Sequence, residues 1–217
     1  MIKAIIFDLD GVIVDTAKYH YIAWKAIASE LGFDFTLEHN ERLKGVSRMT
    51  SLDILLEVGG ITLSIDEKLK LAERKNEHYR SYITQMTSDE ILPGMSEFLR
   101  SVKALGLKAG IGSASKNTPT ILKQIGLDSF FDTVIDGNKI SKAKPDPEVF
   151  LTGAKELGVA PSECIVFEDA ASGVEAALNG GMYCVGVGEK MVLGRAHLVI
   201  PGFVGVLADD VISKVVV

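Results

Sequence analysis

The chain has 217 residues, 24% charged and 47% hydrophobic, and 23 basic against 29 acidic residues leave a net charge of −6. That length suits one large domain or a domain with a sizeable insertion, and the acidic balance argues against a nucleic-acid binder, which presents a basic stripe. No apolar run approaches the ~20 residues that cross a bilayer, and two cysteines, Cys164 and Cys184, cannot build a disulfide framework; both sit in apolar runs and read as reduced, buried thiols of a cytoplasmic protein.

Residues 2–7 are apolar and β-branched, and read as a first strand rather than a signal peptide because two aspartates follow at once. His20, Trp24, Ile27 and Leu31 then recur at helical spacing, predicting an amphipathic helix over 17–32. Further helical pattern covers about 48–58 and 65–84, and nothing in 16–90 reads as a strand. After Pro93-Gly94 helices and strands alternate. Helices are expected at 95–105, 118–125, 147–157 and 172–179, and strands at 107–111, 131–135, 164–167, 183–187 and 197–200. Such alternation implies an α/β fold with a doubly wound parallel sheet. The expected organisation is a core of residues 1–15 and 91–217 carrying an inserted helical cap domain of residues 16–90.

Ligands of such sheets bind beyond the carboxyl ends of the strands. The first strand ends Phe7-Asp8-Leu9-Asp10-Gly11. Side chains two apart in a strand share a face, and two neighbouring carboxylates call for a cation or a shared proton. An Asx-rich turn is the alternative reading. Ser113 to Asn117 follow the strand at 107–111 and offer hydroxyls and N–H groups to an anion, or simply a helix cap. Lys144 precedes Pro145, which favours an extended backbone; Asp146 then suits an N-cap and Pro147 a first helical turn. Glu168-Asp169 close the strand at 164–167. Together these ends place acids, a lysine and a hydroxyl at one sheet edge. Oxygen-rich acids suit a hard divalent cation, a lysine and a hydroxyl suit a phosphoryl group, and a carboxylate can itself accept phosphoryl.

The set Asp8-x-Asp10-Gly-Val-x-x-Asp15-Thr16, Ser113, Lys144-Pro145 and Glu168-Asp169 resembles, in order and spacing, the four motifs of the haloacid dehalogenase (HAD) superfamily of phosphoryl-transfer enzymes, whose core is Rossmann-like. Dehalogenases and the phosphonate-cleaving branch depart from the aspartate pair, so neither chemistry is expected. A non-catalytic relative would have lost Asp8, Asp10 or Asp169, and all are present. Within the superfamily His20, Trp24, Leu43-Lys44-Gly45-Val46-Ser47-Arg48 with Ser51, Arg74-Lys75-Asn76 and Ser113-Ala114-Ser115-Lys116-Asn117 are similar to the β-phosphoglucomutases. Ala170-Ala171 is a departure, since more polar residues are expected beside a sugar.

The resemblance implies conversion of β-glucose 1-phosphate to glucose 6-phosphate through an aspartyl phosphate and β-glucose 1,6-bisphosphate. The alternative is a Mg2+-dependent sugar-phosphate phosphatase. It implies Asp8 as nucleophile, Asp10 as general acid/base, and His20 as an aid that orients Asp10. Mg2+ is the implied cofactor, with Asp8, the Asp10 carbonyl, Glu168 and Asp169 as ligands. Ser113, Ala114 and Lys144 would hold the transferring phosphoryl group. Arg48, Ser115, Lys116 and Asn117 would hold a second phosphate, and Lys75 and Asn76 would contact a hydroxyl or phosphate. Thr16, Trp24, Lys44, Gly45, Val46 and Ser51 complete the expected substrate contacts, with Thr16 and residues 90–93 also as hinges. The implied partner is a sugar phosphate, not nucleic acid or membrane, and nothing demands a second chain, so a monomer is expected.

Overall fold

A computed structural model describes residues 1–43 and 46–216. Six strands form one parallel sheet: β1 (Ala4–Phe7), β2 (Lys108–Gly112), β3 (Thr133–Ile135), β4 (Cys164–Glu168), β5 (Tyr183–Val187) and β6 (Leu198–Ile200), in the order β3-β2-β1-β4-β5-β6. The order reverses at β1, which makes this the switch point of a doubly wound sheet. β1 is followed by the helices of the insertion, α1 (Ala17–Glu30), α2 (Leu37–Glu41), α3 (Arg48–Gly59) and α4 (Ile65–Ile83). The remainder supplies α5 (Met95–Ala104), α6 (Thr118–Gln124), α7 (Glu148–Leu157), α8 (Ala171–Asn179), a short α9 (Lys190–Leu193) and α10 (Ala208–Val215).

Alternation in β1 sets the two faces of the sheet. Ile5 and Phe7 join Phe98, Phe167 and Phe203 on one side, with Phe7 stacked on Phe167 at 5.4 Å. Ala4 and Ile6 join Val149, Phe150, Val166 and Cys184 on the other. Both cysteines are buried free thiols. A third cluster, including Trp24, Ile27, Phe35, Leu52, Leu55 and Leu56, lies wholly within the inserted segment. Caps mark where those helices begin: Ser47 accepts from the Thr50 N–H, and Ser64 pairs reciprocally with Glu67.

The two segments joining these helices to the sheet run side by side. Val14 bridges Ile91, and the Leu92 N–H donates to the Ile13 carbonyl at 2.9 Å. Glu90 ties them further by accepting from Lys18 and from the Tyr19 hydroxyl. The expected strands and helices lie within a few residues of their predicted places. The shifts have local causes: α7 begins at Glu148, so Pro147 takes the cap position while the Asp146 side chain accepts from the Glu148 N–H at 3.0 Å. The Lys144–Pro145 peptide is cis. Among the described residues, no helix is long and apolar enough to cross a membrane.

Candidate active site

The register of the central strands builds the site. Phe7 of β1 lies level with Ile111 of β2 and Phe167 of β4, so Asp8, Gly112-Ser113 and Glu168-Asp169 leave the sheet side by side. The Asp8 N–H is fixed by the Phe167 carbonyl at 2.9 Å, and the Ser113 N–H by the Ile135 carbonyl at 2.9 Å. Lys144 arrives from the loop before α7 and places its ammonium 2.6 Å from both Asp8 Oδ1 and Glu168 Oε1, with the Phe150 ring beneath it. The other Glu168 oxygen accepts from the Ala170 N–H at 2.8 Å. Glu168, expected as a metal ligand, therefore has both oxygens engaged by protein donors. A Cβ at Gly173 would collide with this carboxylate, so the turn into α8 needs a glycine there.

Asp10 points the other way. Its Oδ1 accepts from the hydroxyl of Thr16, the buried residue that precedes α1. Burial, helped by the charge of Asp8, pushes its carboxyl up to about 7. Asp169 lies over Gly11, whose positive φ and lack of a Cβ make room for the carboxylate. Burial, then Glu168, Asp8 and Asp10, push Asp169 up to about 8. For Lys144 burial opposes the charge, but Asp8 and Glu168 prevail and raise it above the ordinary lysine range.

The inserted helices provide the facing wall of a cavity of about 570 Å3. Lys75 of α4 is 2% exposed, holds its ammonium 2.8 Å from His20 Nδ1 on α1, and lies over the Trp24 and Tyr79 rings. Burial, then the charge of Arg48, lowers Lys75 to about 7. Burial, then Lys75 and Arg48, keep His20 neutral well below its ordinary value. With Nδ1 accepting, the ring proton belongs on Nε2. His20 thus pairs with Lys75, while Asp10 is oriented by Thr16. Arg48 opens α3 and donates to Asn76 Oδ1 at 2.8 Å, and Asn117 from the sheet side donates to the same oxygen at 3.0 Å. One amide thereby joins the two walls.

The cavity gathers most of the sequence-predicted residues: Asp8, Asp10, His20, Trp24, Val46, Arg48, Ser51, Lys75, Asn76, Ser113 to Asn117, Lys144, Glu168 and Asp169 all line it. Thr16 acts from behind Asp10. Lys44 and Gly45 lie outside the described residues. Arg74 turns away to pair with Glu30. Sequence reasoning passed over Tyr79 and Asn40, which also line the cavity; Tyr79 follows Lys75 by one helical turn, a spacing that could have found it.

A model of the haloacid dehalogenase-like hydrolase family matches residues 5–187. The chain belongs to this family. Among its haloacid dehalogenase-like relatives, the β-phosphoglucomutase of Bacillus subtilis (strain 168) is 42% identical over 91% of this chain and 88% of its own length. A phosphorylated carbohydrates phosphatase of Thermotoga maritima is 31% identical over 90% of each. The crystal structure of β-phosphoglucomutase from Clostridium difficile superimposes with a TM-score of 0.94 at 44% identity, covering 99% of this chain and 97% of that one. The haloacid dehalogenase-like sheet with its inserted helices therefore accounts for the whole architecture.

Proposed function

We propose that this haloacid dehalogenase-like enzyme is a phosphomutase that interconverts β-glucose 1-phosphate and glucose 6-phosphate, an intramolecular phosphotransfer of the isomerase class. The observation that carries the reading is the pairing of walls across one cavity: a nucleophile and a neutral-range acid on the sheet side, facing Arg48 and Lys75 on the helical side. A single phosphate needs one cationic cradle. A bisphosphorylated sugar that reacts at either end needs two. The similarity to two β-phosphoglucomutases at 42% and 44% identity supports the same reading.

In this mechanism Asp8 attacks phosphorus while Asp10 gives its proton to the departing sugar oxygen. A carboxyl near 7 is matched to that work at neutral pH. The Thr16 hydroxyl occupies Oδ1 of Asp10, which leaves the other oxygen to carry the proton. In the second half-reaction the ionised Asp10 takes a proton from a sugar hydroxyl, which attacks the phosphoryl group on Asp8. Lys144 and Ser113 hold the transferring oxygens. Arg48, Ser115, Lys116 and Asn117 hold the idle phosphate. Residues 16–90 act as a cap that excludes water between the two steps, hinging at Thr16 and 90–93.

The residues fit Mg2+. Asp8, Asp169 and the Asp10 carbonyl are oxygen donors, with Glu168 alongside, and Asp169, pushed up by burial and then by Glu168, Asp8 and Asp10, sits where a divalent cation would favour its ionised form. Mg2+ keeps several waters and takes a substrate phosphate, so few protein oxygens need to reach it. When bound, Mg2+ would neutralise charge building on the phosphoryl group.

A phosphatase shares the first half-reaction, and the relative from Thermotoga maritima keeps that reading in play. A phosphorus NMR time course with β-glucose 1-phosphate, a trace of bisphosphate and Mg2+ separates them. Glucose 6-phosphate should appear much faster than inorganic phosphate; dominant phosphate release overturns the mutase reading.

A further inference from the structure

The helical wall contains a polar group that the mechanism leaves unused. Asn40 lies in α2 and is 7% exposed, yet it lines the cavity. Its Oδ1 is buried, and no described residue donates to it. A buried amide oxygen without a donor is costly and rare. The helix does not need this side chain. The Asn40 N–H donates to Thr36 and its carbonyl accepts from Leu43, while Thr36 and His39 already cap α2. Asparagine is also a poor helix former. The residue is therefore placed for something that enters the cavity.

The missing partner must be a donor. A phosphate dianion offers acceptors alone, so the phosphate ends of a ligand cannot satisfy Oδ1. Among the described residues, the cations that the helical wall itself presents to the cavity are committed elsewhere: Lys75 to His20, and Arg48 to Asn76 and Glu73. A sugar hydroxyl is the donor that remains. We propose that Asn40 is a specificity-determining residue, whose Oδ1 accepts a hydrogen bond from one ring hydroxyl of the sugar held between the two phosphate sites. The inference rests on the sugar-phosphate reading above and adds what that reading lacks, a group on the cap that recognises the ring instead of its phosphates. A site built to bond a hydroxyl rejects the analogue that lacks it more strongly than an apolar wall can.

Calorimetric titration with glucose 6-phosphate and its 2-, 3- and 4-deoxy analogues, in the presence of Mg2+, tests this without requiring turnover. The wild-type protein should bind at least one analogue about tenfold more weakly than the parent sugar phosphate. Asn40→Leu, similar in size and without the acceptor, should bring that analogue to within about twofold of the parent, and Asn40→Ala should do the same if leucine proves too wide. Asn40→Leu should not melt below the wild type by more than a few degrees, because a shape-matched apolar group removes an unpaired acceptor. Unchanged discrimination in the variants overturns the proposal, whatever their melting temperatures, and identifies a residue kept for structure. So does a wild type indifferent to every deoxy analogue, the outcome if a water serves Oδ1. The mutase reading fails separately, in the NMR time course. A protein that releases only inorganic phosphate yet discriminates through Asn40 would refute the mutase and keep this inference.

Discussion

The two walls of the cavity are electrostatic opposites. On the sheet side Asp8 and Glu168 flank Lys144 with Asp10 and Asp169 beside them, and burial, reinforced by the neighbouring carboxylates, drives Asp10 to about 7 and Asp169 to about 8. On the helical side Arg48 and Lys75 stand among aromatic rings and a neutral His20, and Lys75 falls to about 7. Each wall is uncomfortable for its own reason. The sheet side lacks positive charge and the helical side lacks negative charge. A divalent cation on one side and a phosphate on the other would relieve both. Activity is expected to depend on both walls, but stability is invested mainly in the first, where the charges are buried and directly paired.

The largest effect should follow Asp8→Asn. It removes the nucleophile while keeping shape and one hydrogen bond to Lys144, so turnover should fall by ~10^4 or more with an unchanged circular dichroism spectrum. A variant retaining more than about 1% of activity would move the nucleophile elsewhere. Lys144→Met comes next. Lys144 is 5% exposed and bridges two carboxylates; removing it strands them, at a cost of about 3–5 kcal/mol in chemical denaturation at pH 7. The sign of the pH dependence follows from Glu168, which burial already pushes upward. A carboxyl raised in the folded state stabilises below its unfolded value, about 4.3, and loses that contribution as pH rises. The deficit of the variant should therefore shrink towards pH 4 and widen towards pH 8. A deficit independent of pH would mean that Lys144 acts by packing.

The sheet side was far more legible in the sequence than the helical side, for a physical reason. A parallel sheet places every strand end at one edge, so Asp8, Ser113, Lys144 and Glu168-Asp169 could be assembled from an alternating pattern and a rule about strand ends. Helices impose no such edge. His20, Arg48 and Lys75 meet through the packing of α1, α3 and α4, and spacing within one helix cannot reveal a neighbour on another; the family resemblance supplied them. Short elements escaped for want of a full period. The five residues of α2 carry no periodic stripe, and Asn40 was lost with them. In α10 the spacing of Ala208, Val211 and Val215, all buried, was readable but masked by the apolar run around it. The Thr16–Asp10 bond was invisible because it depends on where α1 starts, and helix boundaries are set by caps.

Arg48→Lys should produce an intermediate effect on the helical side. The guanidinium reaches Asn76 and Glu73 through separate nitrogens, a fork that lysine cannot reproduce. Losing one charge-assisted hydrogen bond to a phosphate should lower kcat/KM by about tenfold to a hundredfold. The fraction of phosphoryl groups lost to water should rise, because the idle phosphate no longer anchors the cap. Stability should change by less than about 1 kcal/mol, since Glu73, the ion-pair partner of Arg48, is largely exposed to solvent. A loss of stability comparable with that of Lys144→Met would break the contrast between the walls.

The smallest and most diagnostic effect concerns a proton on Lys75. Burial and Arg48 depress this lysine to about 7, so at pH 8 most of the protein carries it neutral. A phosphate arriving beside it favours the ammonium, and binding should then take up most of a proton from the buffer. Calorimetric titration of glucose 6-phosphate at pH 8, in buffers of different ionisation enthalpy, measures that uptake directly. Uptake by this route should nearly vanish at pH 6, where Lys75 is already charged, and should be absent from Lys75→Met at pH 8. The linkage to folding has the opposite sign from that of Glu168. A lysine depressed in the folded state contributes stability above its unfolded value, about 10.4, and that contribution is lost as pH falls through about 7. Lys75→Met should therefore melt above the wild type at pH 6, with the gap closing towards pH 10. Equal melting temperatures at both pH values, together with proton uptake that survives the substitution, would place the titrating group on the sheet side and leave Lys75 a packing residue over Trp24 and Tyr79.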